Sequence, residues 1–235
     1  MTTVFRRCLL VNYSVAADVL AAVLPAPLEP DLRAGRGWLS VVIADLQRMR
    51  PAGIPVTLGL SYRQVVYRAV VRCGSSRGVY SLRSDADSRF MNAGGNLLSF
   101  FRFHHAAVIW EGNGDHQRIA VRTRDGSADI DLILGADDRG GLPRDSSFAG
   151  LPDARRHLVE LFTAYHPRPE QNLLDVVRIS RADWVITVPP VRGARCGFLD
   201  GRGPFPAGSA RLDSVFEARD VPYYWHRLRV QKITG

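Results

Sequence analysis

The scarcity of lysine limits the chemistry available to this 235-residue chain. Lysine and arginine together number 31, yet Lys232 is the one lysine in the sequence. Catalysis through a Schiff base needs a lysine amine, so it has a single candidate, close to the last residue. The composition therefore argues against Schiff-base chemistry.

The six histidines do not form a recognisable metal site. His104 and His105 are adjacent, and neighbouring side chains of a strand point to opposite faces, so we do not expect them to share a metal ion. No HExxH motif occurs. We predict no metal, although a histidine such as His105 is suited to proton transfer near neutral pH.

Motifs for nucleophilic and nucleotide chemistry have no supporting context in the sequence. The GxSxG match at Gly74 to Gly78 lies between two predicted strands, whereas a nucleophile elbow joins a strand to a helix, and Cys8, Cys73 and Cys196 lie outside any familiar nucleophile context. There is no GxGxxG, and Gly201-Arg202-Gly203 runs into Pro204. We therefore predict no cofactor.

An arginine among tyrosines gives the most informative pattern. Tyr62, Tyr67, Arg68 and Tyr80 fall on two predicted neighbouring strands. A guanidinium can bind a carboxylate through two parallel hydrogen bonds, so these residues could line a ligand cavity. The alternative is a core strand whose arginines simply point outwards.

Charge and hydropathy bear on partners and location. The formal charge is +8, but the arginines are scattered and form no basic run, which argues against nucleic-acid binding. No apolar run is long enough for a membrane helix or a signal-peptide core. Three widely spaced cysteines favour a reducing environment, so we expect a cytoplasmic protein.

Two helices must position these residues. Ser14 suits an N-cap, and the spacing of Val15, Val19, Leu20, Val23 and Leu24 predicts a helix that Pro25 ends. A second helix is predicted from Pro152-Asp153, through Leu158, Leu161, Phe162 and Tyr165, to Pro167. A short helix is expected around Ser88 to Leu98.

Extended segments fill most of the remaining chain. From Val56 to Cys73 the apolar residues change from even to odd positions, which indicates a bulge, a bend or a strand covered on both faces. Further strands are predicted at Gly37 to Asp45, Val79 to Asp85, Ala106 to Glu111, Leu174 to Ser180, Trp184 to Val188, Val215 to Ala218 and His226 to Val230.

The clearest hairpin runs from Gln117 to Leu134. Asp125-Gly126 predicts a two-residue turn, which places Val121 opposite Ile130 and pairs Arg122 with Asp129. With no linker in the sequence, we predict one α+β domain over residues 1–235, a curled and mostly antiparallel sheet with two main helices.

Five segments in one order carry a family resemblance: LVNYSVAADVLAAVLPAPLEPD, GWLSVVIADLQRMRP, YRQVVYRAVV, RGVYSLRSDADSRF and LDSVFEARDVPYYW. Together they resemble the YqjF-like bacterial family of the acetoacetate decarboxylase-like superfamily. The resemblance implies a cone-like barrel around a small-molecule cavity, and superfamily members commonly assemble, which leaves a homo-oligomer open.

The departures from that superfamily shape the expected function. Its decarboxylases use a lysine in the segment matching Phe90 to His105, and this segment has none. Gln64 stands where many relatives carry a glutamate. The resemblance implies that Arg68, Tyr80 and His105 occupy site positions, and we add Gln64 and Tyr62 as ligand-binding residues.

Two classes of function remain open from the sequence beside nucleic-acid binding, which the scattered arginines disfavour. The leading hypothesis is a cavity that binds a small anionic or oxo-containing molecule, with Arg68 pairing with a carboxylate, Gln64 bonding to a carbonyl and His105 moving any proton. The alternative is a non-catalytic structural or interaction protein whose barrel is plugged by its own side chains.

Overall fold

The computed structural model describes residues 1–91, 103–112, 115–135, 141–181 and 184–233. Thirteen strands lie within these ranges: β1 (Thr2–Ala16), β2 (Glu29–Pro30), β3 (Arg36–Arg50), β4 (Leu60–Cys73), β5 (Ser76–Ala86), β6 (Phe103–Gly112), β7 (His116–Thr123), β8 (Ile130–Gly135), β9 (Thr163–Arg168), β10 (Leu173–Arg181), β11 (Val191–Cys196), β12 (Ala210–Trp225) and β13 (Arg229–Lys232). The helices are short, α1 (Ala17–Ala21) and α2 (Leu151–Leu158), and there are 3-10 turns at Val56–Leu58, Pro169–Gln171 and Gly197–Leu199.

Seven strands pair in a ring. The order is β4-β5-β9-β10-β12-β1-β3, and the pairing of β3 with β4 closes it. Two strands pair with the same edge of β5: β9 pairs near Tyr80, and β6 pairs near Asp85. Strands β6, β7, β8 and β11 therefore leave the ring as a second sheet. The predicted α+β class with a curled, mostly antiparallel sheet is confirmed.

Strand β4 is covered on both faces, which explains the change of apolar phase in the sequence. Tyr67 and Val71, at odd positions, pack in the core between the ring and the second sheet. Tyr62 and Val70, at even positions, pack in a second core inside the ring, together with α2. A strand buried on both faces shows no simple alternation.

The helix predicted from Ser14 is mostly wrong. Strand β1 continues through Ala16, paired on one side with β12 and on the other with β3, and only Ala17–Ala21 are helical. The apolar residues at 11, 13 and 15 belong to the β-period of this strand. Two ladders of backbone hydrogen bonds outweigh the helix propensity of this alanine-rich segment, because tertiary pairing readily overrides intrinsic propensity.

The second predicted helix is correct only in its first half. Helix α2 ends at Leu158, and Tyr165 and Pro167 lie in β9, where Pro167 pairs with Leu174. The predicted strand Trp184 to Val188 is reduced to a single bridge between Thr187 and Glu217. Residues 89–91 are helical, and the rest of the helix predicted there lies outside the described residues.

The predicted hairpin has the expected register, since Val121 lies opposite Ile130. The charge pair is different. Arg122 donates to the Asp131 carboxylate at 2.6 Å, while Asp129 accepts from the backbone N–H and hydroxyl of Thr123. The turn is longer than the predicted two residues. The Asp129 carboxylate therefore accepts hydrogen bonds within the turn, and Arg122 pairs with Asp131, its diagonal neighbour on the opposite strand.

Within the described ranges, no helix is long and apolar enough to cross a bilayer.

Candidate functional site

Arg68 is buried inside the ring. It lies at an even position of β4, is 9% exposed, and donates from one terminal nitrogen to the Leu158 carbonyl oxygen at 3.0 Å. Its Nε is buried with no hydrogen-bond partner. Burial lowers the pKa of this guanidinium. A buried cation with an unused donor is costly to maintain.

Arg181, the last residue of β10, reaches the same place. Its guanidinium carbon lies 4.7 Å from the centre of the Phe162 ring and 4.9 Å from that of Trp184. It donates to the carbonyl oxygen of Val159 and, at 3.4 Å, to that of Leu161. Burial lowers its pKa too. Packing between two rings fixes the orientation of the guanidinium.

Tyr223 and Cys8 complete the surroundings. Tyr223 is buried on β12 beside Arg181, and burial raises the pKa of its hydroxyl. Burial also raises the pKa of the Cys8 thiol, to about 12, so Cys8 is a protonated neighbour. We call Arg68, Arg181 and Tyr223 the ring site.

The curl of the sheet creates this convergence. In one direction around the ring, β4 and β10 are separated by β5 and β9, and in the other by β3, β1 and β12. In a flat sheet these three or four strand spacings amount to roughly 14 or 19 Å, yet Arg68 and Arg181 donate to carbonyls of consecutive residues, Leu158 and Val159. The two arginines therefore face each other across the inside of the ring.

The charge of the two arginines is poorly compensated. Among the described residues, the groups that act on Arg68 are Tyr223, Arg181 and Cys8, none of which is a carboxylate. Glu160 acts weakly on Arg181, but it also bonds to Arg155 at 3.2 Å. The partners that the arginines have are main-chain carbonyls, which carry only partial charge.

A segment of chain fills the ring next to this site. We call residues 148–161, which include α2, the strap. Leu158, Val159 and Leu161 are buried among ring-interior residues. At its start, Phe148 packs on Trp38 with ring centres 4.5 Å apart. The carbonyl oxygens that accept hydrogen bonds from Arg68 and Arg181 all belong to the strap.

At the end of the ring near Trp38, a second group of charges binds the strap. Asp31 is buried and pairs with Arg77 and, at 3.5 Å, with Arg72. Arg77 also approaches the Nδ1 atom of His157 at 2.9 Å. Burial, with the charge of Arg77, lowers the pKa of His157 to about 4. We call Asp31, Arg72, Arg77 and His157 the latch.

Three other predicted site residues share the face of Arg68. The Tyr62 hydroxyl donates to Gln64 Oε1 at 3.5 Å. Gln64 pairs with Ala86 of β5, and Ala86 pairs with His105 of β6, so Gln64 and His105 project from the same face two strands apart. His105 is exposed. Gln64 and Arg68 are four positions apart along β4, a distance of roughly 13 Å.

Tyr80 is not brought to Arg68. It pairs with Ala69 and packs, half-buried, in the core between the sheets, which is the opposite face of β4 and β5. The one lysine, Lys232, is exposed on β13, where it pairs with Leu173. The segment 92–102, where the superfamily's lysine would fall, lies outside the described residues.

Sequence reasoning missed Arg181 and Tyr223. Arg181 directly follows a segment predicted as a strand, and Tyr223 belongs to one of the segments that carry the family resemblance. Nothing local marks either residue, because their meeting with Arg68 depends on how β10 and β12 join the ring.

A separate surface cavity of about 250 Å³ lies between the loop at Pro143 and the segment from Val188 to Val191, and Asp145 and Asp213 also line it. Asp213 is engaged by the hydroxyl of Ser146. Neither arginine of the ring site lines this cavity.

Comparison with known proteins gives a family match over most of the chain. Residues 2–189 match the model of DUF2071, described as an uncharacterized conserved protein. The uncharacterized protein YqjF of Bacillus subtilis (strain 168) is 27% identical over 116 residues, which is 49% of this chain and 48% of that protein. The chain thus spans about half the length of this curated relative.

Solved structures with similar folds include the following three. The enduracididine biosynthesis enzyme MppR complexed with pyruvate is 13% identical, with a TM-score of 0.64 over 97% of this chain and 89% of that one. The acetoacetate decarboxylase of Legionella pneumophila is 14% identical, with a TM-score of 0.64 over 98% and 86%. An acetoacetate decarboxylase-like enzyme from Sphingomonas wittichii RW1 is 13% identical, with a TM-score of 0.58 over 98% and 93%. At these identities the likeness establishes the fold alone.

Proposed function

This chain belongs to the DUF2071 family of uncharacterized conserved proteins, and we propose that it binds a small anionic or oxo-containing molecule inside its ring of strands. The resemblance to YqjF and to the acetoacetate decarboxylase-like fold is confirmed. The observation that carries the proposal is the pair of buried arginines, Arg68 and Arg181, which meet carbonyl oxygens where a carboxylate would compensate their charge.

Arg68 is the proposed anchor of the ligand. Its guanidinium is desolvated and its Nε has no acceptor, so an incoming carboxylate gains a donor that no group of the described structure uses. A bidentate pair with a carboxylate is stronger than the present bond to a neutral carbonyl. The ligand takes the place of the Leu158 carbonyl, and the strap yields to it.

Schiff-base decarboxylation is not part of the proposal. The one lysine of the chain is exposed on β13 rather than inside the ring. The pyruvate named for MppR supports a small oxo acid as the class of ligand. Gln64 lies roughly 13 Å along β4 from Arg68, and His105 lies two strands beyond Gln64. A small acid held at Arg68 does not extend that far, so the proposal gives Gln64, Tyr62 and His105 no contact with the ligand.

We also propose that the protein works in the reducing environment of the cytoplasm. Cys8, Cys73 and Cys196 are all free thiols, and two of them are buried. Free thiols are the normal state of cysteines in the cytosol.

The alternative function is a non-catalytic structural or interaction protein. The specific observation in its favour is the strap, because Leu158, Val159 and Leu161 pack where a ligand would lie. Under this alternative the strap is a permanent plug and the arginines serve only to hold it.

Titration with carboxylates separates the two functions. We expect pyruvate or acetoacetate to bind the wild-type protein saturably by calorimetry, and Arg68→Gln to weaken binding at least roughly tenfold, the loss of one charge-assisted pair. Arg118→Gln removes the same charge from an exposed position and should leave binding unchanged.

Equal affinity of wild type and Arg68→Gln, or failure of every carboxylate tested to bind wild type, would favour the plugged ring. Circular dichroism and the melting temperature of each variant establish that it is folded, and Arg68→Lys provides a second variant that keeps the charge while losing the bidentate geometry.

A further inference from the structure

The second arginine of the ring site, Arg181, indicates more about the ligand than that the ligand is anionic. Arg181 enters from the opposite side of the ring to Arg68, and its guanidinium is held between Phe162 and Trp184. The two guanidiniums donate to the oxygens of consecutive residues, whose Cα atoms are about 3.8 Å apart. One small molecule can therefore reach both.

The positive charge of the site indicates how many negative charges the ligand carries. Two guanidiniums bring two positive charges into a site where, among the described residues, Glu160 is the acid that acts on either, and it shares its carboxylate with Arg155. A ligand with one carboxylate leaves one buried cation without a counter-charge, which is costly. A ligand with two anionic groups compensates both.

The arrangement of donors also favours two separated ends over one compact group. Arg68 offers its unused Nε on the β4 side. On the other side, Tyr223 lies beside Arg181, and a phenolic hydroxyl can donate a hydrogen bond to an anion. Each side of the ring thus supplies its own set of donors.

We propose that Arg181, with Tyr223, is the second half of the ligand site and selects small dicarboxylates over monocarboxylates. This rests on the proposed function, since it assumes that an anion enters the ring at Arg68. The proposal assigns Arg181 a role in specificity and limits the ligand class to short molecules with an anionic group at each end.

Calorimetric titration of four probes tests the inference: propionate and pyruvate with one carboxylate, succinate and oxaloacetate with two. Wild type should bind the dicarboxylates roughly tenfold or more tightly than the matched monocarboxylates. Arg181→Gln should remove that preference while leaving monocarboxylate affinity close to wild type. Tyr223→Phe should reduce the preference by a smaller factor, and Arg118→Gln should change nothing.

Several outcomes would overturn the inference and leave the proposed function standing. These are monocarboxylates that bind wild type as tightly as dicarboxylates, an Arg181→Gln variant that loses both classes equally, or inorganic phosphate that binds as tightly as succinate, which would mean that the site reads charge alone. Failure of every carboxylate to bind wild type would overturn the proposed function itself.

One control concerns Asp183, which lies next to this site in sequence but outside the described residues. Asp183→Asn should leave the preference for dicarboxylates unchanged. An increase in that preference on removing this carboxylate would identify Asp183 as an internal counter-ion of Arg181 and overturn the charge argument. Should Arg181→Gln fail to fold by circular dichroism, Arg181→Lys keeps the charge, and a preserved preference is expected.

Discussion

The latch and the ring site hold the same strap with arginines, but they balance charge in opposite ways. In the latch, Arg72 and Arg77 share the buried carboxylate of Asp31. In the ring site, Arg68 and Arg181 meet carbonyl oxygens of the strap. One buried carboxylate shared by two arginines compensates part of the charge of the latch, and removing it would leave both arginines without a counter-charge. The difference suggests that the latch is structural and that the ring site is built for an added anion.

The largest expected effect is on stability, and it differs between the two clusters. Asp31→Asn should lower the free energy of unfolding by about 2 kcal/mol, since two arginines lose their buried counter-charge. Arg68→Met should change it by less than about 1 kcal/mol, because an apolar side chain of similar length removes an uncompensated buried charge. Urea denaturation measures both. Equal costs for the two variants would erase the distinction between the clusters.

A second effect is the response of the latch to acid. Burial lowers the pKa of His157 to about 4 in the folded protein, whereas in the unfolded chain it is about 6.5. Between these two pH values the unfolded chain binds a proton at His157 and the folded chain does not. Stability should therefore fall as the pH drops from 6.5 to 4, by about 1–2 kcal/mol for a partly solvated group. Arg77 and Arg33 oppose protonation, whereas Asp31 and Asp153 favour it.

His157→Gln keeps an acceptor for Arg77 and removes the titrating group. Melting temperatures of this variant should decline less than those of wild type between pH 6.5 and pH 4. An identical decline would mean that other groups govern the acid response of the latch.

A third effect concerns movement of the strap. If a dicarboxylate replaces the strap carbonyls at Arg68 and Arg181, the strap should open more often and trypsin should cleave after Arg156, which is largely exposed, about fivefold faster, equivalent to about 1 kcal/mol. The same ligand should not accelerate cleavage in Arg181→Gln. Protection of this bond by the ligand would contradict displacement of the strap.

The smallest expected effect is on the fixing of Arg181. Phe162→Leu removes one of the two rings that hold its guanidinium, which should weaken dicarboxylate binding by about 0.5–1 kcal/mol. Phe162 is 47% exposed, so little loss of stability should accompany the change. Calorimetry of this variant beside Ile109→Leu, at an exposed position of similar exposure on β6, provides the matched comparison.

Sequence reasoning succeeded where the signal was local or familial. The register of the hairpin around Val121 and Ile130 came from alternation and a turn, and the acetoacetate decarboxylase-like fold came from the order of five segments. It failed at Ser14, which lies in a strand buried on both faces, and at Tyr165, which with Pro167 forms the buried face of β9.

The same distinction between local and long-range signals applies to the predicted site residues. Arg68 was identified from its strand, and the structure buries it inside the ring. Tyr80 was grouped with it, but a bulge between β4 and β5 at Tyr67 and Arg68 accompanies a pairing that puts Tyr80 on the other face. The side of a sheet that a residue faces depends on register, which neighbouring sequence does not set.

What the sequence by itself determined is the family, the scarcity of lysine and the candidacy of Arg68, since each is a property of residue types in order along the chain. The tertiary structure alone decided that Arg181 and Tyr223 join Arg68, and that the strap occupies the place between them. The physical reason is the closure of the ring: β10 and β12 approach β4 only because the sheet curls onto itself, and that approach joins residues more than a hundred positions apart.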